Sequence, residues 1–235
     1  MAQYIKKKNS CKSLRDLPAQ VDSNPETAAR SRARYFNSGN AFMVGTTPIP
    51  DIVFEEEPRK AFAGGTPTSL IPCDISSQLG CNYPATSPLI LVYYARINYG
   101  ESLPTLFNAS GALAYVISGS GETICQDEVI KWGEGDVFLM PGGKKQTHRA
   151  FKEPVILWIA TNEPQLGFEN SSTKDGTLVS GIVHYPSQEI DRQFDLIYSI
   201  DADQDVSGSA VIFSSCDQEL NKNILPTLTA GINSL

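Results

Sequence analysis

Between Leu113 and His148 the chain alternates short apolar runs with glycine-bearing turns at a nearly even beat. Leu-Ala-Tyr-Val-Ile is followed by Ser118-Gly119-Ser120-Gly121. Glu128 to Lys131 is followed by Gly133-Glu134-Gly135-Asp136, and Val137 to Met140 by Pro141-Gly142-Gly143. Runs this short are below helix length, and they are rich in β-branched and aromatic residues. A chain so punctuated can form an antiparallel all-β barrel or sandwich and little else. The same rhythm predicts strands over Leu89 to Ile97, Ala112 to Ile117, Glu122 to Cys125, Thr147 to Phe151, Val155 to Thr161 and Ala210 to Ser214. Asn98-Tyr99-Gly100 is a turn.

The flanks read differently. Ser23 and Glu26 have capping-box spacing and Pro25 suits a first turn, so a helix is expected from there to about Phe36. Prolines and glycines between residues 43 and 87 allow only short extended pieces, at Asp51 to Glu55 and Ser69 to Asp74. Glu55-Glu56-Glu57 reads as a solvated loop. Pro186 opens a short helix to about Phe194, and Pro226 to Leu235 is strand-like. That last segment, Ala230-Gly231-Ile232-Asn233, echoes Ala95-Arg96-Ile97-Asn98. It either docks on the existing sheet or repeats the first core strand.

Composition removes several functions. With 19 basic against 26 acidic residues, net −7, the composition gives no support for nucleic-acid binding, which needs a basic face. No apolar run approaches the ~18 residues of a membrane span. Lys6-Lys7-Lys8 has no apolar stretch behind it, so no secretory signal is read and a cytoplasmic location is expected. The five cysteines are scattered and odd in number, which fits reduced thiols. Two histidines, His148 and His184, are too few for a chain-internal three-histidine metal site.

Two motifs carry a resemblance. Five residues separate Gly100 from Leu106, with Asn108, Ala112 and Gly119 following at fixed intervals. Gly135-Asp136, Pro141-Gly142-Gly143 and Gln146 form the second set, with His148 two residues on. The spacing resembles the two motifs of the cupin superfamily. The Ala112–Gly119 stretch is most similar to the gentisate 1,2-dioxygenase branch, bicupins that cleave aromatic rings. The resemblance implies a cupin double-stranded β-helix, or jelly-roll barrel, with an N-terminal helical extension.

It further implies an extension with a short helix over 1–60, a barrel over 61–165, a connection with a short helix over 166–225, and the possible first strand of a second, absent barrel over 226–235. On this reading the chain looks like an N-terminal half, paired with a second cupin barrel or with another copy as a homodimer.

In the family the motif positions hold iron. Here Leu106, Asn108, Ala112 and Gln146 occupy them. Leucine and alanine donate nothing, and carboxamide oxygens are weak ligands for a metal that wants imidazole and carboxylate. The expectation is therefore no metal in this barrel, with Fe(II) only if a second barrel is present. Asn108, Gln146 and His148 either line a polar pocket for a small aromatic or carboxylate ligand, or satisfy one another and buried backbone. Arg96 either meets a ligand carboxylate or pairs at the surface. Tyr115, like Tyr93, Tyr94 and Trp132, is a pocket aromatic or a core residue. His184 reads as structural or surface. Two functions stay open: a dioxygenase-type protein whose working iron lies elsewhere, and a metal-free binding or structural module.

Overall fold

The computed structural model describes residues 12–42, 48–173, 179–200 and 209–234. The chain divides into two compact units, 1–48 and 49–235.

In the first unit the expected long helix is replaced by α1, Ala28–Arg32, only five residues. The Asp22 carboxylate takes the Asn24 amide at 3.0 Å, which turns the chain before Ser23 can cap anything. Thr27 caps instead, its hydroxyl accepting from the Arg30 amide at 3.2 Å. Beyond Arg32 the backbone extends, and Tyr35 returns to pair with Gln20 through two 2.9 Å bonds.

The second unit opens with α2 (Glu56–Phe62), β1 (Ser69–Pro72), α3 (Ser76–Leu79), β2 (Leu91–Ile97) and β3 (Ser102–Thr105). Then come β4 (Gly111–Ser118), β5 (Gly121–Cys125), β6 (Glu128–Trp132), β7 (Val137–Pro141), β8 (Gln146–Ala150) and β9 (Val155–Thr161). It closes with α4 (Glu163–Phe168), β10 (Val183–Tyr185), α5 (Ser187–Ser199), β11 (Ser209–Phe213) and β12 (Ala230–Ser234). No helix among the described residues is long and apolar enough to cross a membrane.

The strands form antiparallel sheets. One has six strands in the order β1-β2-β9-β4-β7-β10, another four in the order β3-β8-β5-β6, and β11 pairs with β12 alone. The two larger sheets pack face to face. Ala95, Ile97, Ala112, Phe138, Met140 and Leu157 of the first meet Leu103, Trp132 and Ala150 of the second in one core. The six-stranded sheet is apolar on its other face as well. There Leu113, Val137 and Leu139 pack against Ile190 of α5, Phe213 of β11, Ile224 and Leu225. All five residues of β7 are buried for this reason, and they read as an apolar run without alternation. At the far end of the sheet, Ala61 of α2 covers Ile71 and Ile156.

The Asp51 to Glu55 stretch forms no strand, and Glu56 begins a helix where a solvated loop was expected. The C-terminal strand pairs with the strand before it, Phe213 opposite Ala230 and Val211 opposite Ile232. The unpredicted β3 lies at a sheet edge, where its Pro104 interrupts no ladder bond.

Candidate functional site

A line of buried polar side chains runs through the apolar interior along β3, β5, β6 and β8. Register places them together. Thr105 stands opposite Gln146 across β3 and β8, and Thr123 stands opposite His148 across β5 and β8. Period-two alternation turns Gln146 and His148 inward while Thr147 between them is only half-buried. The side chains of Gln146 and His148 are 1% and 0% exposed.

These groups form one line of contacts. Trp132 Nε1 donates to Thr123 Oγ1 at 2.8 Å, and Thr123 Oγ1 meets His148 Nδ1 at 2.9 Å. His148 Nε2 meets Thr105 Oγ1 at 3.1 Å, which donates to Gln146 Oε1 at 3.1 Å. Gln146 Nε2 donates to the Pro141 carbonyl at 2.7 Å. Phe138 packs between the indole and the imidazole, its ring 5.8 Å from Trp132 and 6.3 Å from His148. Burial lowers the His148 pKa from 6.5 to about 4, so the ring is neutral at pH 7.

Two glycines let the walls close. A Cβ on Gly142 would fall 1.5 Å from the Ala109 carbonyl, and one on Gly121 would fall 2.4 Å from the Trp132 ring. Either side chain would push apart the strands that hold the line.

The remaining residues singled out from sequence are elsewhere. Leu106 is 65% exposed and Asn108 is exposed, because β3 and its extension turn Leu103, Thr105, Phe107 and Ala109 inward. The two positions counted from Gly100 thus lie on the outward face of this segment, opposite the one that enters the interior. Phe107 occupies the interior beyond Thr105, its ring 5.6 Å from Tyr93. Asn108 instead pins the segment after α4, accepting from the Thr173 amide at 3.0 Å and donating to the Ser171 carbonyl at 3.4 Å. Ala112 is buried in the same core as Phe107 and Met140.

Arg96 lies on the opposite face of its sheet, 5% exposed. Its guanidinium donates to the Ala61 carbonyl in the last turn of α2 at 2.8 Å and to Asn98 at 2.9 Å. Tyr115 lines an apolar groove of about 350 Å³ with Val137, Trp158, Phe213 and Ile232. Tyr93 donates to Glu163 at 2.8 Å, and burial, with that carboxylate beside it, raises its pKa. His184 donates from Nε2 to Asp136 at 2.9 Å.

Thus two of the five expected pocket residues, Gln146 and His148, are brought together. Sequence reasoning missed Thr105, Thr123 and Phe107. Threonine is an ordinary strand residue and carries no signal of its own, whereas the alternation Leu103, Thr105, Phe107 marks the inward face once the strand is placed. Among the described residues no group of three or more His, Cys, Asp or Glu side chains is placed to hold a metal ion.

No protein-family model matches the chain. It is 26% identical over 107 residues to the 5-aminosalicylate 1,2-dioxygenase of a Comamonas species, covering 39% of this chain and 29% of that protein. Its structure superimposes on a salicylate 1,2-dioxygenase from Pseudaminobacter salicylatoxidans with a TM-score of 0.50 at 17% identity, covering 65% of this chain and 54% of that one. A variant of the salicylate enzyme gives a TM-score of 0.52 at 17% identity, covering 68% and 56%. The chain thus spans about half the length of those solved structures and less than a third of the curated relative. Its sheets share the cupin-like β fold of these dioxygenases, and its resemblance to the gentisate-type bicupins holds in sequence and in fold.

Proposed function

We propose that residues 49–235 are a cupin-type module of the salicylate and gentisate dioxygenase lineage that serves as a structural half, with ring-cleaving chemistry housed elsewhere. On this reading the two large sheets close as a jelly roll. Its partner is a second cupin-type unit, in a further barrel or in another copy of the chain, and Fe(II) belongs to that unit.

The observation that carries the reading is the donor set of the interior. A non-haem iron site asks for imidazole nitrogens and a carboxylate aimed at one point. The inward groups here are one imidazole, one carboxamide, two hydroxyls, one indole N–H and the Phe107 ring, and no carboxylate belongs to the line. Each polar group is already engaged by a neighbour. The residues present do not fit the iron that the resemblance implies, so no step of a ring cleavage is assigned to them.

The test is metal content. The 235-residue chain is loaded anaerobically with Fe(II), desalted and analysed, and then assayed with gentisate and salicylate. The expected result is well under a tenth of an equivalent of iron and no oxygen uptake. One equivalent of iron retained by the wild type and lost in His148→Ala would overturn the proposal.

A second reading is favoured by the groove at Tyr115. Aromatic walls from Tyr115, Trp158 and Phe213 around about 350 Å³ suit a small planar ligand. A salicylate-induced thermal shift in the same preparations, abolished by Trp158→Ala, would make the module a ligand-binding one.

A further inference from the structure

The two ends of the interior line determine the direction of every hydrogen bond along it. Indole N–H only donates and a peptide carbonyl only accepts. Because Gln146 Nε2 gives its hydrogen to Pro141, the amide cannot be flipped, and Oε1 is the atom that faces Thr105. The single hydroxyl hydrogen of Thr105 is therefore committed to Gln146. Its 3.1 Å contact with His148 can only be one in which Nε2–H donates. In a neutral ring Nδ1 then bears the lone pair. Thr123, whose oxygen already receives the indole, supplies its own hydrogen across 2.9 Å. With these directions each contact along the line pairs one donor hydrogen with one acceptor.

We infer that this ordered line is a lock that excludes metal: it fixes His148 as the Nε2–H tautomer, with Gln146 acting through Thr105 as the positioning residue that sets it. The nitrogen turned toward the motif position held by Gln146 thus carries a proton and offers no lone pair. Freeing it would move the proton to Nδ1. Thr123 would then face two donors, the indole and the imidazole, and its own hydrogen would have no acceptor at a site that is 0% exposed. A buried polar group left in that state is strongly disfavoured. The cupin-like scaffold is thereby held against metal by hydrogen-bond order as well as by ligand loss. The inference rests on this geometry and not on the module reading. Iron bound elsewhere on the chain would end that reading and leave the tautomer unchanged.

Long-range ¹H–¹⁵N correlation of the imidazoles in the labelled 235-residue chain at pH 7 tests it. The chain has two histidines, and His184→Gln assigns them. His148 is expected to show a protonated Nε2 and a bare Nδ1, unmoved by one equivalent of Zn(II) as a diamagnetic probe. Thr105→Val keeps the shape, removes the acceptor of Nε2–H, and is expected to raise the Nδ1–H population above its wild-type level. An Nδ1–H tautomer or a doubly protonated ring in the wild type overturns the inference, as does displacement of the Nε2 resonance by Zn(II). An Nδ1–H population in folded Thr105→Val no higher than in the wild type overturns the relay through Thr105. The wild-type spectrum decides the tautomer even where the variant does not fold.

Discussion

At the residue scale, Thr123 is the joint of the interior. Its one oxygen serves a buried indole and a buried imidazole together. Thr123→Val is nearly isosteric, so it creates little cavity while leaving both partners unmatched. Each orphaned buried group costs roughly 1–3 kcal/mol, which puts the loss at about 2–6 kcal/mol. Thr123→Ser keeps the hydroxyl and loses one methyl, about 1 kcal/mol. Urea unfolding of both variants measures the difference, and a valine variant as stable as the serine one would mean that the line contributes nothing. Legibility at this scale was uneven. Gln146 and His148 were visible because motif spacing marks β8 directly. Leu106 and Asn108 face outward, and spacing from Gly100 alone does not say which face of the strand a residue takes. Thr105 and Thr123 acquire meaning only from partners that the fold brings close.

Among elements, the turn before β7 holds more than its own hairpin. Asp136 accepts from the Gly133 amide at 3.1 Å, from His184 at 2.9 Å and from the Ser187 amide at 2.8 Å. One carboxylate thus joins the β6–β7 turn, β10 and the first residue of α5, which has no side-chain cap of its own. A negative charge is favourable at that helix end. Burial pushes the Asp136 pKa up, but the amides of Ser187 and Gly133 and the His184 contact outweigh it and hold the group below its ordinary 3.8. Its stabilisation is complete above pH 3.8 and is lost as pH falls through the lower folded value.

Asp136→Ala is expected to cost about 2–4 kcal/mol at pH 7 and to speed amide exchange at Ser187 more than at the centre of α5. Uniform acceleration along the helix would mean that Asp136 does not anchor its start. The helices show what patterning hid. Glu55-Glu56-Glu57 looked like a solvated charge run. Yet Arg59 pairs with both Glu55 and Glu56 one turn away, and Ala61 on the inner side is fully buried, so the segment is half of an amphipathic helix. α5 outlasts its expected end at Phe194 because Phe194 stacks on Tyr198 across the next turn, ring centres 6.1 Å apart.

For the whole molecule, global stability should report the protonation of one buried ring. The strand beat made the β architecture legible, since every strand between Leu91 and Thr161 except β3 was expected to within two residues at each end. The charge state of the core was not legible, because it depends on burial that sequence does not state. His148 is 0% exposed with a pKa near 4, against 6.5 for a free imidazole. Above pH 6.5 the ring is neutral folded and unfolded, and it contributes no pH dependence. As pH falls below 6.5 the unfolded chain takes a proton that the native state refuses, and stability drops. The loss saturates below about 4, where the native ring protonates too. A shift of this size corresponds to roughly 3 kcal/mol across the window.

Carboxylates add losses of the same sign, but chiefly toward the acid end, so the interval from pH 6.5 to 5 isolates the imidazole. Urea midpoints measured there in a His184→Gln background, which leaves His148 as the one imidazole of the chain, should fall steadily. The same series in His184→Gln/His148→Gln should be nearly flat. A flat profile in the single variant would show that His148 is free to take up protons in the native state, and that the polar line inside the sheets stands open to water.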